Sequence, residues 1–194
     1  MSIIGISGPA RSGKDTLADR ICEILAASNI KCEKTSFAKQ LKLECKDFIH
    51  STLGIDVFTE NDDEKNIIRP MLVTWGTHVR RKLDPDIWVK SVEKQLKENV
   101  VTIVSDVRFE NEFNWIKDNN GFNIFVDRVL PNGKLVQPAN DDERNNTIPL
   151  REKSDHFFVW NTIENDDWLS AIALEVLYKT IPEETLNLWK KTYV

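Results

Sequence analysis

Gly8 and Gly13 followed by Lys14 satisfy the spacing G-x-x-x-x-G-K. In such a loop the backbone N–H groups and the following helix N-terminus surround a polyphosphate, and the lysine reaches its outer oxygens. Glycine is required because a side chain would block the approach of the backbone to the anion. Ala10, Arg11 and Ser12 fill the interval, and Asp15 and Thr16 follow the lysine. The general pattern has a hydroxyl residue directly after lysine to hold Mg²⁺. Here that place belongs to Asp15 and the hydroxyl waits until Thr16, so both are candidate metal ligands. Arg11 is placed to lie against a phosphoryl group in transfer, supplying in cis the charge of an arginine finger. The other chemical anchor is Asp106, which ends the apolar run over residues 100–105. A carboxylate at the end of a neighbouring strand sits beside metal and phosphates in phosphate-loop enzymes, which makes Asp106 the third candidate metal ligand.

Composition narrows the setting. The chain has 194 residues, of which 41% are hydrophobic and 29% charged, enough for one globular domain with a sizeable core. A net charge of −5 argues against a general electrostatic grip on nucleic acid, while a small anionic substrate remains open if basic residues converge locally. Cys22, Cys32 and Cys45 follow no C-x-x-C spacing, so neither a disulfide framework nor a zinc site is expected, and a reducing cytoplasm fits. No signal peptide or membrane span is read from the sequence. His50, His78 and His156 are scattered without ligand-type spacing.

The elements that must position these groups follow from periodicity. Residues 3–6 read as a strand delivering the loop, and Leu17, Ile21, Ile24, Leu25 and Ser28 recur at helical spacing behind it. Residues 30–37 read as a weak second strand. A helix from Phe37 carries Leu41, Leu43, Phe48 and Ile49, and residues 56–64 read as an acidic, solvated connection. From Arg69 a helix stacks Leu72, Trp75, Val79 and Leu83 on one face. Asp84-Pro85-Asp86 ends it, with Asp86 capping a helix faced by Val89, Val92 and Leu96. Residues 100–105 read as a buried parallel strand. A helix through Phe109, Phe113 and Ile116 comes next and stops at a left-handed cap over Asn119-Asn120-Gly121. Residues 122–129 give a fourth strand and residues 157–163 a fifth. The polar, proline-containing stretch 130–154 between them is too long for an idle connection in a compact domain and reads as a lid or as disorder. Asn165-Asp166-Asp167 caps a helix with Leu169, Ile172, Ala173, Val176 and Leu177 on its apolar face, and a last helix begins near Pro182. Strands alternating with helices imply an α/β fold whose parallel sheet is covered on both faces and binds ligands at the carboxyl ends of its strands. Nothing in the sequence divides residues 1–194 into separate domains.

With these pieces in order, the chain resembles the deoxynucleoside monophosphate kinases of bacteriophages and bacteria, part of the nucleoside monophosphate kinase group of P-loop folds. The likeness is carried by residues 8–16, 36–42, 76–89 and 104–112. It implies a three-layer P-loop NTPase fold with five parallel strands in the order 2-3-1-4-5. It also implies a helical monophosphate-binding insertion over about 37–99 and a lid over about 130–154. The implied activity is transfer of the γ-phosphoryl of ATP, with Mg²⁺, to a (deoxy)nucleoside monophosphate. Gly8, Ala10, Arg11, Ser12, Gly13, Lys14, Asp15 and Thr16 would bind ATP, and Lys14, Arg11 and Arg108 would serve the transfer itself. Phe37, Lys42, Arg69, Trp75, Arg81, Asp84, Asp86, Trp88, Arg108 and Glu112 would form the acceptor site. Arg128, Arg144 or Arg151 would close with the lid and exclude water. Arginines suit a monophosphate dianion because planar guanidinium groups bind its oxygens in pairs. Trp75 is also the natural member of a helical core stripe. The family pattern has Gln near Trp75 and Glu at His78, so the accepted base is not implied. The expected setting is cytoplasmic, that of the host for a viral chain, with no nucleic-acid or membrane partner, and a homodimer is left open.

Other readings share the loop. A kinase of another phosphorylated small molecule would differ only in its acceptor motif, and a regulatory nucleotide-binding module would keep the loop without turnover. A GTPase would need D-x-x-G directly after the third strand and N-K-x-D later, but Asp106 is followed by Val107-Arg108-Phe109 and no N-K-x-D occurs.

Overall fold

The computed structural model describes residues 2–160 and 166–181. They group into two compact units, one of Met1–Thr35 with Leu96–Val194 and one of Ser36–Gln95. The first is built on strands β1 (Ser2–Ser7), β2 (Cys32–Thr35), β3 (Val101–Val107), β4 (Phe122–Arg128) and β5 (His156–Trp160). All strand pairings are parallel, and the strand order is β2-β3-β1-β4-β5, as the family resemblance implies.

The continuous apolar runs of β1 and β3 reflect cover on both faces of the sheet. On one side Ile4, Ile6, Ile103, Ile124, Val126 and Trp160 pack with Leu17, Ile21 and Leu25 of helix α1 (Lys14–Ala27). The same cluster takes Leu169, Ile172, Ala173, Val176 and Leu177 from a helix over Asp166–Thr180, the set its spacing predicts. The opposite face carries a helix over Glu110–Asp118, which approaches β1 closely because Gly5 has no side chain. A Cβ there would lie 2.4 Å from Ile116 Cδ1.

Several expectations are corrected. The second strand is shorter than 30–37 because Phe37 already begins a helix. Cys22 and Cys32 are disulfide-bonded, with Cα atoms 5.5 Å apart, which removes the cysteine argument for a reducing compartment. The register of α1 against β2 brings them within the usual bridging range, a proximity that no spacing rule reveals. The helix before the 119–121 turn does end in a left-handed cap as expected, and Asn120 is the residue that takes that conformation (φ 55°). Gly121 serves close approach, its N–H donating to Ile116 O at 2.8 Å. The stretch 130–154 has structure of its own. Val129 pairs with Leu135, a π-helical turn covers Glu143–Thr147, and a short helix covers Leu150–Lys153. Residues 161–163 of the fifth strand, the Asn165 cap and the helix near Pro182 lie outside the described residues.

The second unit is helical: α2 (Phe37–Leu53), α3 (Asp62–Val73), a π-helical turn (Thr74–Arg80), α4 (Arg81–Leu83) and α5 (Ile87–Glu93). Later in the chain, the first unit adds α6 (Glu110–Asp118), α7 (Leu150–Lys153) and α8 (Asp166–Thr180). The core of the helical unit is Cys45, Ile49, Ile55, Val57 and Ile68, whereas Leu43 and Phe48 of α2 are exposed. Its α3 starts seven residues before Arg69, because the Asn61 side chain accepts from the N–H groups of Asp63 and Glu64. The acidic stretch is therefore partly a first helical turn, where carboxylates suit the helix dipole. Widening to i→i+5 bonds from Thr74 onward then rotates the later side chains about the helix axis. Trp75 and Leu83 come to 39% and 75% exposure, and the expected single apolar stripe is broken. Asp86 occupies the N-cap position of α5 without a capping bond from its side chain, and Leu96 lies beyond the helix. Among the described residues no helix is long and apolar enough to cross a membrane.

The Gly121 packing gives a stability test. A Cβ at Gly121 would stand 2.7 Å from Ile116 O and 2.9 Å from Ile3 O. Gly121→Ala should therefore cost about 1–3 kcal/mol in urea unfolding, and Asn120→Gly under about 1 kcal/mol.

Candidate functional site

The loop after β1 is shaped by two backbone constraints. Gly8 has φ 142°, and a Cβ on it would meet Val126 O at 2.2 Å, so only glycine fits against β4. Gly13 has φ 91° and forms the left-handed N-cap of α1. Arg11 also lies in the left-handed region (φ 63°), at an exposed position. The loop is pinned from β5, where the buried Trp160 donates Nε1–H to Ser12 O at 2.5 Å. Ser12 is fully buried, and its Oγ has no partner among the described residues. Ala10 is half-buried and Thr16 exposed.

Lys14 is buried at 8% exposure and donates to Gly8 O at 2.9 Å and Pro9 O at 2.6 Å. Burial, seconded by the positive charge of Arg108, brings its pKa down from 10.5 to about 8. Glu143, Asp15 and Asp106 act the other way. The loop lysine, both acidic candidates and Arg108 are thus brought into one electrostatic neighbourhood at the carboxyl ends of β1 and β3, where a doubly wound sheet binds its ligand.

Asp15 Oδ1 accepts from Ser105 Oγ at 2.8 Å and lies 3.7 Å from Lys34 Nζ, so this carboxylate already ties α1 to β3. Among the described residues no three His, Cys, Asp or Glu side chains cluster as a protein-only metal cage. Mg²⁺ does not need one, since it is commonly held by one or two carboxylates with phosphate oxygens and water. Asp106 with Thr16, or with Asp15, fits that donor set.

Arg108 comes directly after β3, and its backbone is fixed by Glu112. The Oε2 of this buried carboxylate accepts from Arg108 N at 2.8 Å and Phe109 N at 3.1 Å. Glu112, expected as an acceptor ligand, thus closes the N-terminus of α6. The expected lid arginines have separate surroundings. Arg144 pairs with Asp141 at 2.8 Å, Arg151 pairs with Asp127 at 3.0 Å and stacks on Phe157, and Arg128 ends β4 with no partner at Nε among the described residues. What the 130–154 stretch brings to Arg108 is Glu143, which the sequence reading missed. Its Oε1 lies 3.9 Å from Arg108 Nη1. The signal was present as Asn140-x-x-Glu143, a capping-box spacing.

The remaining candidates belong to the helical unit. Phe37 and Trp88 are each 2% exposed, so their rings pack rather than present a face, and Trp88 Nε1 donates to Gly76 O at 3.4 Å. Trp75 is not core. Its Nε1 donates to Glu44 Oε2 at 3.2 Å, and Arg80 grips the same carboxylate through two bonds. A cavity of about 600 Å³ opens beside it, walled by Phe48, Met71 and Pro70. Lys42 Nζ sits 5.3 Å over the Phe58 ring, Arg69 is exposed on α3, and Arg81 Nη1 donates to Pro85 O at 3.3 Å. Asp84 is paired with Lys90 at 2.8 Å, which holds its carboxyl below the usual range, and its Oδ1 accepts from Asp86 N.

The family model described as phosphomevalonate kinase matches residues 6–122, more than half of the chain. Among solved structures, shikimate kinase from Bacteroides thetaiotaomicron is similar at 15% identity over 92% of this chain and 97% of that one, with a TM-score of 0.50. APS kinase CysC from Mycobacterium tuberculosis, in complex with AMPPNP and APS, is 12% identical over 91% and 95%, with a TM-score of 0.44. Kti12 from Chaetomium thermophilum, in complex with ADP-AlF3, is 13% identical over 93% and 99%, with a TM-score of 0.46. No curated protein matches the sequence. The shikimate kinase likeness shows a shared fold.

The lowered pKa of Lys14 has a functional sign. Below about 8 the ammonium is charged and available to phosphate, and above it the group in the ligand-free protein loses its proton. Between about 8 and 10.5 the unfolded chain holds more protons than the native one, so native stability rises with pH there. Affinity for MgATP, measured by calorimetry, should be level to about pH 7.5 and fall above about pH 8. In Lys14→Ala that alkaline fall should be absent.

Proposed function

From the premise that the chain belongs to the phosphomevalonate kinase family, and is a P-loop kinase of a small molecule, we propose that it transfers the γ-phosphoryl of ATP to a phosphate monoester. The preferred acceptor is a deoxynucleoside monophosphate, giving ADP and a deoxynucleoside diphosphate. The observation that carries the reading is the grouping of a buried loop lysine with Arg108 and two carboxylates at the strand ends.

In this reading the loop backbone and Lys14 hold the β- and γ-phosphates of ATP, and Arg11 and Arg108 neutralise the group in transfer. Mg²⁺, when bound, adds charge neutralisation between the phosphates. Asp106 with Thr16 or Asp15 would hold it. Because the acceptor phosphate is already ionised and nucleophilic, this reading assigns no general base. Lys42, Arg69 and Arg81 are the acceptor-binding cations of the helical unit, and Trp75 is its exposed aromatic group.

A second reading comes from the family's name, with phosphomevalonate or a similar non-nucleoside monophosphate as the acceptor. It uses the same transfer groups and differs in what the helical unit recognises. The two separate in one assay, ADP release from ATP and Mg²⁺ with each deoxynucleoside monophosphate, each ribose counterpart and phosphomevalonate offered singly. Turnover with a deoxynucleotide supports the preferred reading, turnover with phosphomevalonate alone supports the second, and silence with all of them overturns both. Lys14→Ala should lower turnover by at least about a hundredfold without unfolding the protein. Arg108→Ala should raise the acceptor KM or lower kcat about tenfold or more while MgATP affinity changes by less than about threefold.

A further inference from the structure

Glu143 is a carboxylate with 1% side-chain exposure that neither reading of the function uses. It is rigidly held. Its backbone N–H donates to Asn140 Oδ1 at 2.8 Å, and its Oε2 accepts from Ala139 N at 2.7 Å. The other oxygen, Oε1, has no hydrogen-bond partner among the described residues; the Arg108 guanidinium pairs with it at 3.9 Å, and Lys14 also feels its charge. One turn further along the same segment the buried Thr147 donates Oγ–H to Arg108 O at 3.4 Å. Arg108 is therefore gripped from α6 through its backbone N–H and from the 139–147 segment through its carbonyl and its guanidinium, while 46% of its side chain remains exposed.

The charges explain why a carboxylate belongs there. Lys14 and Arg108 repel each other, and two cations assembled for phosphate need compensation before phosphate arrives. A buried carboxylate is itself costly unless paired. We propose that Glu143 is a positioning residue, a resident counter-ion that holds the Arg108 guanidinium at the phosphate loop. Its unengaged Oε1 is aimed at that group. The segment expected from sequence to contribute a closing arginine contributes the anion that orients one. This inference rests on the kinase reading only in assigning Arg108 to the site.

Two measurements on the full chain test it. Glu143→Gln keeps an amide oxygen for Ala139 N–H, so the turn and the fold should survive, as checked by thermal melting. In the ligand-free protein, the Arg108 Nε–Hε resonance, identified by its loss in Arg108→Ala, should shift in Glu143→Gln. The second measurement is a double-mutant cycle read by calorimetric binding of MgADP with aluminium fluoride, a mimic of the phosphoryl group in flight. Glu143→Gln should weaken binding about tenfold in the wild-type background and less than about twofold in Arg108→Ala. Equal weakening in both backgrounds overturns the proposal, because Glu143 would then act through something other than Arg108. An unmoved resonance or unchanged affinity also overturns it. If the wild-type protein fails to bind the mimic, the kinase reading falls, while the resonance still decides the pairing.

Discussion

The arrangement of the first unit depends on keeping an ammonium group charged while it is nearly out of water. An isolated buried cation would give up its proton, and Lys14 is brought part of the way there. It is held back by two loop carbonyls at hydrogen-bond distance and by three carboxylates in its field. Other features can be understood as supplying that environment. The loop curls tightly enough to offer its own carbonyls because Gly8 and Gly13 adopt backbone angles that other residues avoid. Asp15 comes from α1, Asp106 from β3 and Glu143 from the segment after β4, so three parts of the chain each favour the charged form of the lysine.

Much of this frame was legible because it is written in short-range patterns. Glycine and lysine spacing marks the loop, continuous apolar runs mark the interior strands, and the period of Leu169 to Leu177 marks the covering helix. The strand order came through the family resemblance. What stayed hidden depends on departures from regular periods. The π-helical turn at Thr74–Arg80 adds a residue per turn, so a 3.6-residue stripe through Trp75 and Leu83 ceases to describe one face. The bond between Cys22 and Cys32 depends on the register of α1 against β2 and has no local signature. Glu143 and Glu112 are different cases. Glu112 sits three residues after the N-cap Phe109 and Glu143 three after Asn140, and each reaches back to a preceding backbone N–H, which reading them as ordinary charges conceals.

Acceptor identity was the least legible feature, for a chemical reason. Guanidinium groups bind the oxygens of a phosphate monoester in the same way whether the ester carries a nucleoside or an aliphatic acid. Selectivity belongs to contacts with the rest of the molecule. In the helical unit the exposed Trp75 is held by Glu44, whose carboxylate is itself neutralised by Arg80, so the wall of the adjoining cavity is aromatic and close to uncharged. Trp88 and Phe37, which looked equivalent to Trp75 by residue type, are packed away. Among these three rings exposure separates surface from packing, and the exposed one, Trp75, is the one that lies in the π-helical turn.

The bond from Trp160 to the Ser12 carbonyl joins residues 148 positions apart. The loop therefore does not acquire its shape from its own sequence alone, because one of its fixed points arrives with the last strand of the sheet. Contacts so distant in sequence form late, once intervening chain has been ordered. During synthesis the phosphate-loop sequence is made well before Trp160, and in the interval the nascent chain carries the glycines and the lysine without their final fixed point. Nucleotide bound only by the finished unit would then favour the folded population by mass action and leave earlier, incomplete states unaided.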